Sequence, residues 1–257
     1  MHIHLALTWL APQLEFPGAE LTFLMAVRWI HFVAGIMWIG LLYFFTLVNA
    51  PFMRELTAQE RGMVIPKLMP KALWWFRWSS VVTVLAGLAY WGHMVGMDAQ
   101  AASAVGEPAS VGRVVGSFFL IWTVAFAIEM GMLMSPAEVL RNGWVLGIVM
   151  AIVVFAASYI FLAVNQQGWE SNRVLAIGIG GGIGWFMMLN VWGIVWRMQK
   201  RIIRWTEESA TKGTAMPPEA ASKARLSFLA AAVSFWLSFP MLFFMGAASH
   251  YAMFASR

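Results

Sequence analysis

The sequence predicts an all-α integral membrane protein built as a bundle of six transmembrane helices. Of its 257 residues, 61% are hydrophobic and only 11% are charged, whereas an average soluble domain is about half apolar and about a quarter charged. The apolar residues are also gathered into six runs, each close to the roughly 20 residues that a helix needs to cross a bilayer. These runs do not alternate polar and apolar residues, as transmembrane strands do.

The predicted domain organisation is a single transmembrane domain that takes up the whole chain, residues 1–257. The length of the chain leaves little room for a second domain. Residues 1–20 lack the basic start and the long apolar run of a signal peptide, so we expect an interfacial lead-in. The predicted helices are about 22–49, 73–97, 112–135, 143–164, 173–197 and 226–252.

The first two spans each carry ionisable residues. The first contains RWIHFVAGIMWIG, residues 28–40, in which Arg28 and His31 are three residues apart. That spacing places both side chains on one face of a helix. The second span carries His93 near its end. Because ionisable groups inside a bilayer are costly, they usually indicate a functional site.

The third span contains Glu129 in AFAIEMGM, and the fourth contains no charged residue. The fifth contains GIGGGIGW, residues 178–185. It lacks the spacing of a dinucleotide-binding motif, and the interval from Gly178 to Gly182 is typical of close helix packing in membranes. The sixth contains Pro240 and ends near His250.

The distribution of Lys and Arg predicts the orientation. Most of the 17 basic residues lie in or beside the connections between spans 1–2, 3–4 and 5–6, and such an excess is typical of the cytoplasmic side. We therefore expect both termini on the periplasmic side of a bacterial inner membrane. The net charge of +5 then reflects a face lying on membrane lipid, and we expect no nucleic-acid partner.

The cysteine count limits the cofactors. The chain has no cysteine, which excludes iron–sulfur clusters bound by cysteine and a covalently attached c-type haem. The predicted topology brings His31, His93 and His250 to the outer half of the membrane. Imidazole is an axial ligand of haem iron, so this pattern predicts one b-type haem.

The expected haem site has His31 as one axial ligand and either His250 or His93 as the other. Arg28 and Arg113 also lie at outer helix ends, where guanidinium groups can pair with the haem propionates. Gly35 follows His31 by one helical turn, so it leaves space on that face for a porphyrin ring.

Three polar residues lie toward the predicted inner half: Glu129, Asn190 and Arg77. They form either a proton or polar relay, or a structural set in which Glu129 pairs with Arg77.

Four segments show a resemblance that covers nearly the whole chain: RWIHFVAGIMWIGLLYFF, PKALWWFRW, NVWGIVWRMQ and FPMLFFMGAASHY. In this order they resemble the N-terminal membrane domain of the bacterial membrane-bound urate oxidases. The resemblance implies that His31 and His250 match histidines of the family. It also implies urate oxidation with electrons passed to a c-type cytochrome. Because the chain has no haem-attachment motif, we expect that cytochrome to be a separate protein.

Three functions remain open from the sequence. The first is a membrane b-type haem redox protein that exchanges electrons with a periplasmic cytochrome c or a quinone and oxidises urate. The second is a non-catalytic membrane subunit that scaffolds a larger respiratory or photosynthetic redox complex. The third is a transporter that uses Glu129, Arg77 and Asn190.

Overall fold

The computed structural model of the protein describes residues 17–135 and 137–254. In this part of the chain the regular structure is entirely helical, and six helices are long and apolar enough to cross a membrane. The predicted six-helix fold is therefore confirmed. The helices are α1 Ala19–Glu55, α2 Ala58–Ala104, α3 Val111–Met134, α4 Gly143–Asn165, α5 Asn172–Lys212 and α6 Ala220–Ala247. Most of the predicted lead-in lies outside the described residues, and its last two residues already belong to α1.

The second helix begins at Ala58, well before the predicted start near residue 73. A capping box starts the helix: the Thr57 hydroxyl accepts from the backbone N–H of Glu60, and the Glu60 carboxylate accepts from the backbone N–H of Thr57. Such a reciprocal pair satisfies two backbone donors that a helix start leaves free. At about 1.5 Å per residue, this helix of 47 residues is far longer than a bilayer core of about 30 Å.

The fifth helix also extends beyond its prediction, to Lys212 instead of residue 197. Its last part, WRMQKRIIRWTEESATK, separates apolar from charged residues around the helix, which stabilises a helix lying against the bundle. The helix ends at Gly213, which has a φ of +67° and donates its backbone N–H to the Ser209 carbonyl oxygen. Glycine is favoured at this position because it adopts positive φ without steric cost.

Two helices contain a π-helical segment, Phe44–Asn49 in α1 and Val191–Val195 in α5. Such segments are rare, and they occur frequently at functional sites. The second follows directly after Asn190, one of the polar residues predicted to act inside the membrane.

The glycines of α5 let neighbouring helices approach closely. The Trp122 indole of α3 occupies the position of a Cβ at Gly182, and the Phe161 ring of α4 does the same at Gly178. At Gly180, a Cβ would lie 3.1 Å from the Met241 carbonyl oxygen of α6. Close helix packing, as predicted from the glycine spacing, is confirmed.

Helices α2 and α5 are antiparallel neighbours in this core. The Trp91 indole of α2 donates to the Val174 carbonyl oxygen of α5, and Trp192 donates to the Arg77 carbonyl oxygen at the other end of the same pair. Residues of α2, α3, α4 and α6 thus all contact α5.

Candidate functional site

His31 lies in the middle of α1 against α2. Its Nδ1 is 2.8 Å from the Thr83 carbonyl oxygen. Since a carbonyl oxygen can only accept, Nδ1 carries the proton and donates it. The other ring nitrogen, Nε2, therefore keeps a free lone pair, and it has no hydrogen-bond partner among the described residues. In a histidine held in this way, Nε2 is the ring atom that could bind a metal ion.

The His31 ring fits against α2 because Gly87 has no side chain. A Cβ at Gly87 would lie 2.9 Å from both Cε1 and Nδ1 of His31. Any larger residue would therefore displace the imidazole. Gly35, one turn further along α1, was expected to leave space for a porphyrin ring. It lies against α2, where a Cβ at Gly35 would be 3.6 Å from the Thr83 methyl group.

Arg28 is exposed and lies one turn before His31. Its guanidinium carbon is 5.6 Å from the centre of the Phe32 ring, and it forms no ion pair with a described residue. Its charge therefore remains available to an anionic group on this face of α1.

His93 of α2 contacts Glu20, which lies in the first turn of α1. The His93 Nε2 and Glu20 Oε1 atoms are 3.1 Å apart, but the ring nitrogen is not aligned for a hydrogen bond. The contact lies near the surface, since the Glu20 side chain is 70% exposed. No described contact joins His93 to His31.

Arg113 is paired with a buried carboxylate that sequence reasoning missed. Its Nη2 donates to Oε1 of Glu170 over 2.7 Å, and the Glu170 side chain is 0% exposed. Oε2 of Glu170 also accepts from the backbone N–H of Gln167. The guanidinium predicted to pair with a haem propionate thus has a protein partner. In the sequence, Glu170 stood out only as an acidic residue in the short connection between the fourth and fifth spans.

His250 lies beyond the end of α6, since this helix ends at Ala247 instead of residue 252. The imidazole is exposed, and no described side chain bonds to it. Nearby, the Asn172 amide donates to the carbonyl oxygens of Ala248 and Tyr251. This holds the end of α6 beside the start of α5, and no described contact joins His250 to His31.

Glu129 and Asn190 meet inside the bundle. The Asn190 amide nitrogen donates to Oε1 of Glu129 over 3.0 Å and lies 3.3 Å from the Ser234 hydroxyl. Both Glu129 and Asn190 are 0% exposed. The second oxygen of Glu129 and the amide oxygen of Asn190 have no hydrogen-bond partner among the described residues. These three residues connect α3, α5 and α6.

The predicted pairing of Glu129 with Arg77 is wrong, because Arg77 lies among aromatic rings. Its guanidinium carbon is 4.0 Å from the centre of the Trp196 ring and 5.5 Å from that of Trp192. Cation–π contacts of this kind stabilise a guanidinium without a carboxylate partner. The sequence signal for this aromatic environment was the spacing of Trp192 and Trp196, which lie one turn apart on α5.

Comparison with known proteins matches this helical membrane bundle to one family. A family model described as urate oxidase N-terminal matches residues 56–257, which is most of the chain. The matched range begins after α1 and includes His93 and His250. No curated protein and no solved structure matches the chain.

The fold and the buried polar residues define the protein as a multi-pass helical membrane protein. The chain belongs to the urate oxidase N-terminal family. The resemblance is therefore confirmed at the level of the family. Three of its four segments lie within the matched residues, and the first, which contains His31, precedes them.

Proposed function

We propose that the protein is a membrane redox protein that holds one b-type haem at His31. The observation that supports this proposal is the hydrogen bond from His31 Nδ1 to the Thr83 carbonyl oxygen. It fixes the tautomer and the ring orientation, and it leaves Nε2 as the free ligand atom.

The surrounding residues suit a ligand for haem iron. Gly87 gives the imidazole a flat support, and Arg28 adds an uncompensated positive charge one turn away. Bound haem would supply one-electron transfer, with a potential set by ligand identity and burial. Within the chain, His31 would hold the iron and Arg28 would pair with a propionate.

As the second residue that would hold the haem we propose His250 instead of His93. The imidazole of His93 already contacts Glu20, whereas that of His250 has no partner among the described residues. His250 also lies in the range that matches the family.

We propose urate as the substrate on the family description alone. Electrons would pass to a periplasmic cytochrome c or to a quinone. The proposed location is the bacterial inner membrane, with both termini outside, because of the Lys and Arg distribution.

A second candidate function is a non-catalytic subunit of a larger membrane redox complex. It is favoured by the pairing of Arg113 with Glu170 and of His93 with Glu20, which removes two of the six residues predicted to hold a cofactor. A transporter ranks last. Its three predicted polar residues do not form one group, because Arg77 lies among tryptophans whereas Glu129 is bonded to Asn190.

An absorption spectrum of the purified protein in detergent, oxidised and dithionite-reduced, tests the first candidate. We expect a Soret band and sharp reduced α and β bands. The bands should be lost in a folded His31→Ala variant and kept in His93→Ala. A protein without visible bands after expression with ample haem would favour the non-catalytic subunit. A spectrum unchanged in His31→Ala would exclude His31 as the ligand. Urate-dependent reduction of the haem would then test the substrate.

A further inference from the structure

A large cleft opens at the end of the bundle opposite to His93 and His250. It has a volume of about 1170 Å³ and lies between α3, α5 and the start of α6. Its deeper wall is apolar and includes Met130 and Leu133 of α3 and Leu189 and Trp192 of α5. None of the functions proposed above uses this cleft.

The rim of this cleft, which we call the basic cleft, is strongly positive. Its five basic lining residues are Arg197, Lys200, Arg201, Arg204 and Lys223, and no Asp or Glu is among its described lining residues. Arg204 has a weak ion pair with Glu208 at 4.0 Å. The other four form no ion pair with any side chain that the structure describes.

The apolar wall and the positive rim are separated along α5. Trp192 and Arg204 are twelve residues apart, or about 18 Å along a helix axis. That is close to the thickness of one leaflet of a bilayer core of about 30 Å. A ligand that fills the cleft must therefore combine an anionic group at the rim with an apolar part that reaches inward.

We propose that the basic cleft binds an anionic phospholipid. The charge complementarity selects an anionic head group, and the apolar wall selects an acyl chain. Basic pockets between transmembrane helices on the cytoplasmic side are a known type of site for such head groups. The Lys and Arg distribution predicts that this end of the bundle faces the cytoplasmic leaflet.

Arg197 and Arg201 are the main head-group ligands in this proposal. They are four residues apart on α5, so they share one helix face, and both are exposed at the rim. Guanidinium groups bind phosphate oxygens in bidentate pairs. The acyl chain lies along Met130 and Trp192, in the deeper part of the cleft.

The test uses the full-length protein and native mass spectrometry from detergent after removal of bound lipid. Phosphatidylglycerol and phosphatidylcholine are titrated separately, and the double variant Arg197→Gln/Arg201→Gln is compared with the unmodified protein. Lys67→Gln/Lys71→Gln is the matched control. It removes two exposed positive charges at the same spacing, outside the cleft.

We expect the unmodified protein to prefer phosphatidylglycerol to phosphatidylcholine. The affinity for phosphatidylglycerol should fall by about thirtyfold in the Arg197/Arg201 variant, because each basic residue near an anionic surface contributes about 1 kcal/mol. The control variant should change it by less than about threefold, since its charges lie outside the site.

Three results would overturn the proposal. Equal affinity for the two lipids would show that head-group charge is not recognised. An equal loss of affinity in both variants would show attraction by net charge without a site. A rise in the unfolding temperature with inorganic phosphate as large as that with phosphatidylglycerol would show a site for a soluble anion. Retention of the fold in each variant is checked by circular dichroism.

Discussion

The side-chain amide of Asn190 donates a hydrogen bond to Oε1 of Glu129 over 3.0 Å, in the interior of the bundle. This bond joins α5 to α3 at the residue that precedes the π-helical segment Val191–Val195. Among the described residues, the Glu129 carboxyl group forms no other side-chain hydrogen bond. The other carboxyl oxygen has no partner, so the loss of Asn190 would leave the whole group unsatisfied.

Replacement of Asn190 by Leu should destabilise the protein by about 1–3 kcal/mol, the usual cost of leaving a buried polar group without its partner. Glu129→Gln should be nearly neutral, since the Gln oxygen can still accept from Asn190. The midpoint of unfolding in detergent measures both. Asn49→Leu is the control, because the described bond of the Asn49 amide is a weak contact with the Met69 sulfur at 3.9 Å. An Asn190→Leu variant as stable as the Asn49→Leu variant would contradict this prediction.

Gly182→Ala should destabilise the bundle by about 1–3 kcal/mol, which is the typical cost of adding a methyl group to a well-packed core. The Trp122 indole occupies the place of the new Cβ, so either the indole or α5 must move. Gly181→Ala is the matched control, because the nearest atom to a Cβ there is 3.6 Å away. Thermal unfolding followed by tryptophan fluorescence distinguishes them. Equal stability of the two variants would show that Trp122 can relocate freely.

Arg113→Leu should cost about 3–5 kcal/mol, because it leaves the buried Glu170 carboxylate without its cation. The double variant Arg113→Leu/Glu170→Leu should recover much of the loss, since it buries no unpaired charge. Arg173→Leu is the control at the same end of the bundle, as Arg173 is exposed and has no described ion-pair partner. A double-mutant cycle of unfolding free energies gives the coupling. A coupling energy near zero would show that the pair is not formed in the membrane.

Gly87→Ala should alter the haem spectrum if His31 is an axial ligand. The new Cβ would lie 2.9 Å from the imidazole, so the ring must tilt away from α2 and from the Thr83 carbonyl oxygen. We expect a shifted reduced α band and a changed reduction potential in spectroelectrochemistry. Gly92→Ala, on the same helix with no neighbour within 4 Å, should keep the spectrum of the unmodified protein. A Gly87→Ala spectrum that is also unchanged would count against ligation by His31.

The fold class could be predicted from the sequence because a bilayer selects for local composition. Long apolar runs identify the six spans without any knowledge of their neighbours, since each spanning helix satisfies its own backbone hydrogen bonds. The glycine spacing in α5 likewise predicted close packing. The polar ends of α2 and α5 could not be placed, because helices that leave the membrane no longer show an apolar run, and their bounds depend on caps such as Thr57 with Glu60.

The candidate site was only partly predictable. The sequence singled out His31, Glu129 and Asn190 as costly groups in apolar surroundings, and the structure gives each of them a defined environment. The sequence did not predict which of these groups pair with one another. Arg113 and Glu170 are 57 residues apart in the chain, and Arg77 could equally have met a carboxylate or aromatic rings.

The sequence by itself therefore determined a six-helix membrane protein of the urate oxidase N-terminal family, with histidines and buried polar groups at defined positions along its helices. Only the tertiary structure decided the partner of each group, such as the Thr83 carbonyl oxygen for His31, 52 residues away. The physical reason is that burial follows from local hydrophobicity, whereas a hydrogen bond between helices depends on their rotation and register, which all their packing contacts set together.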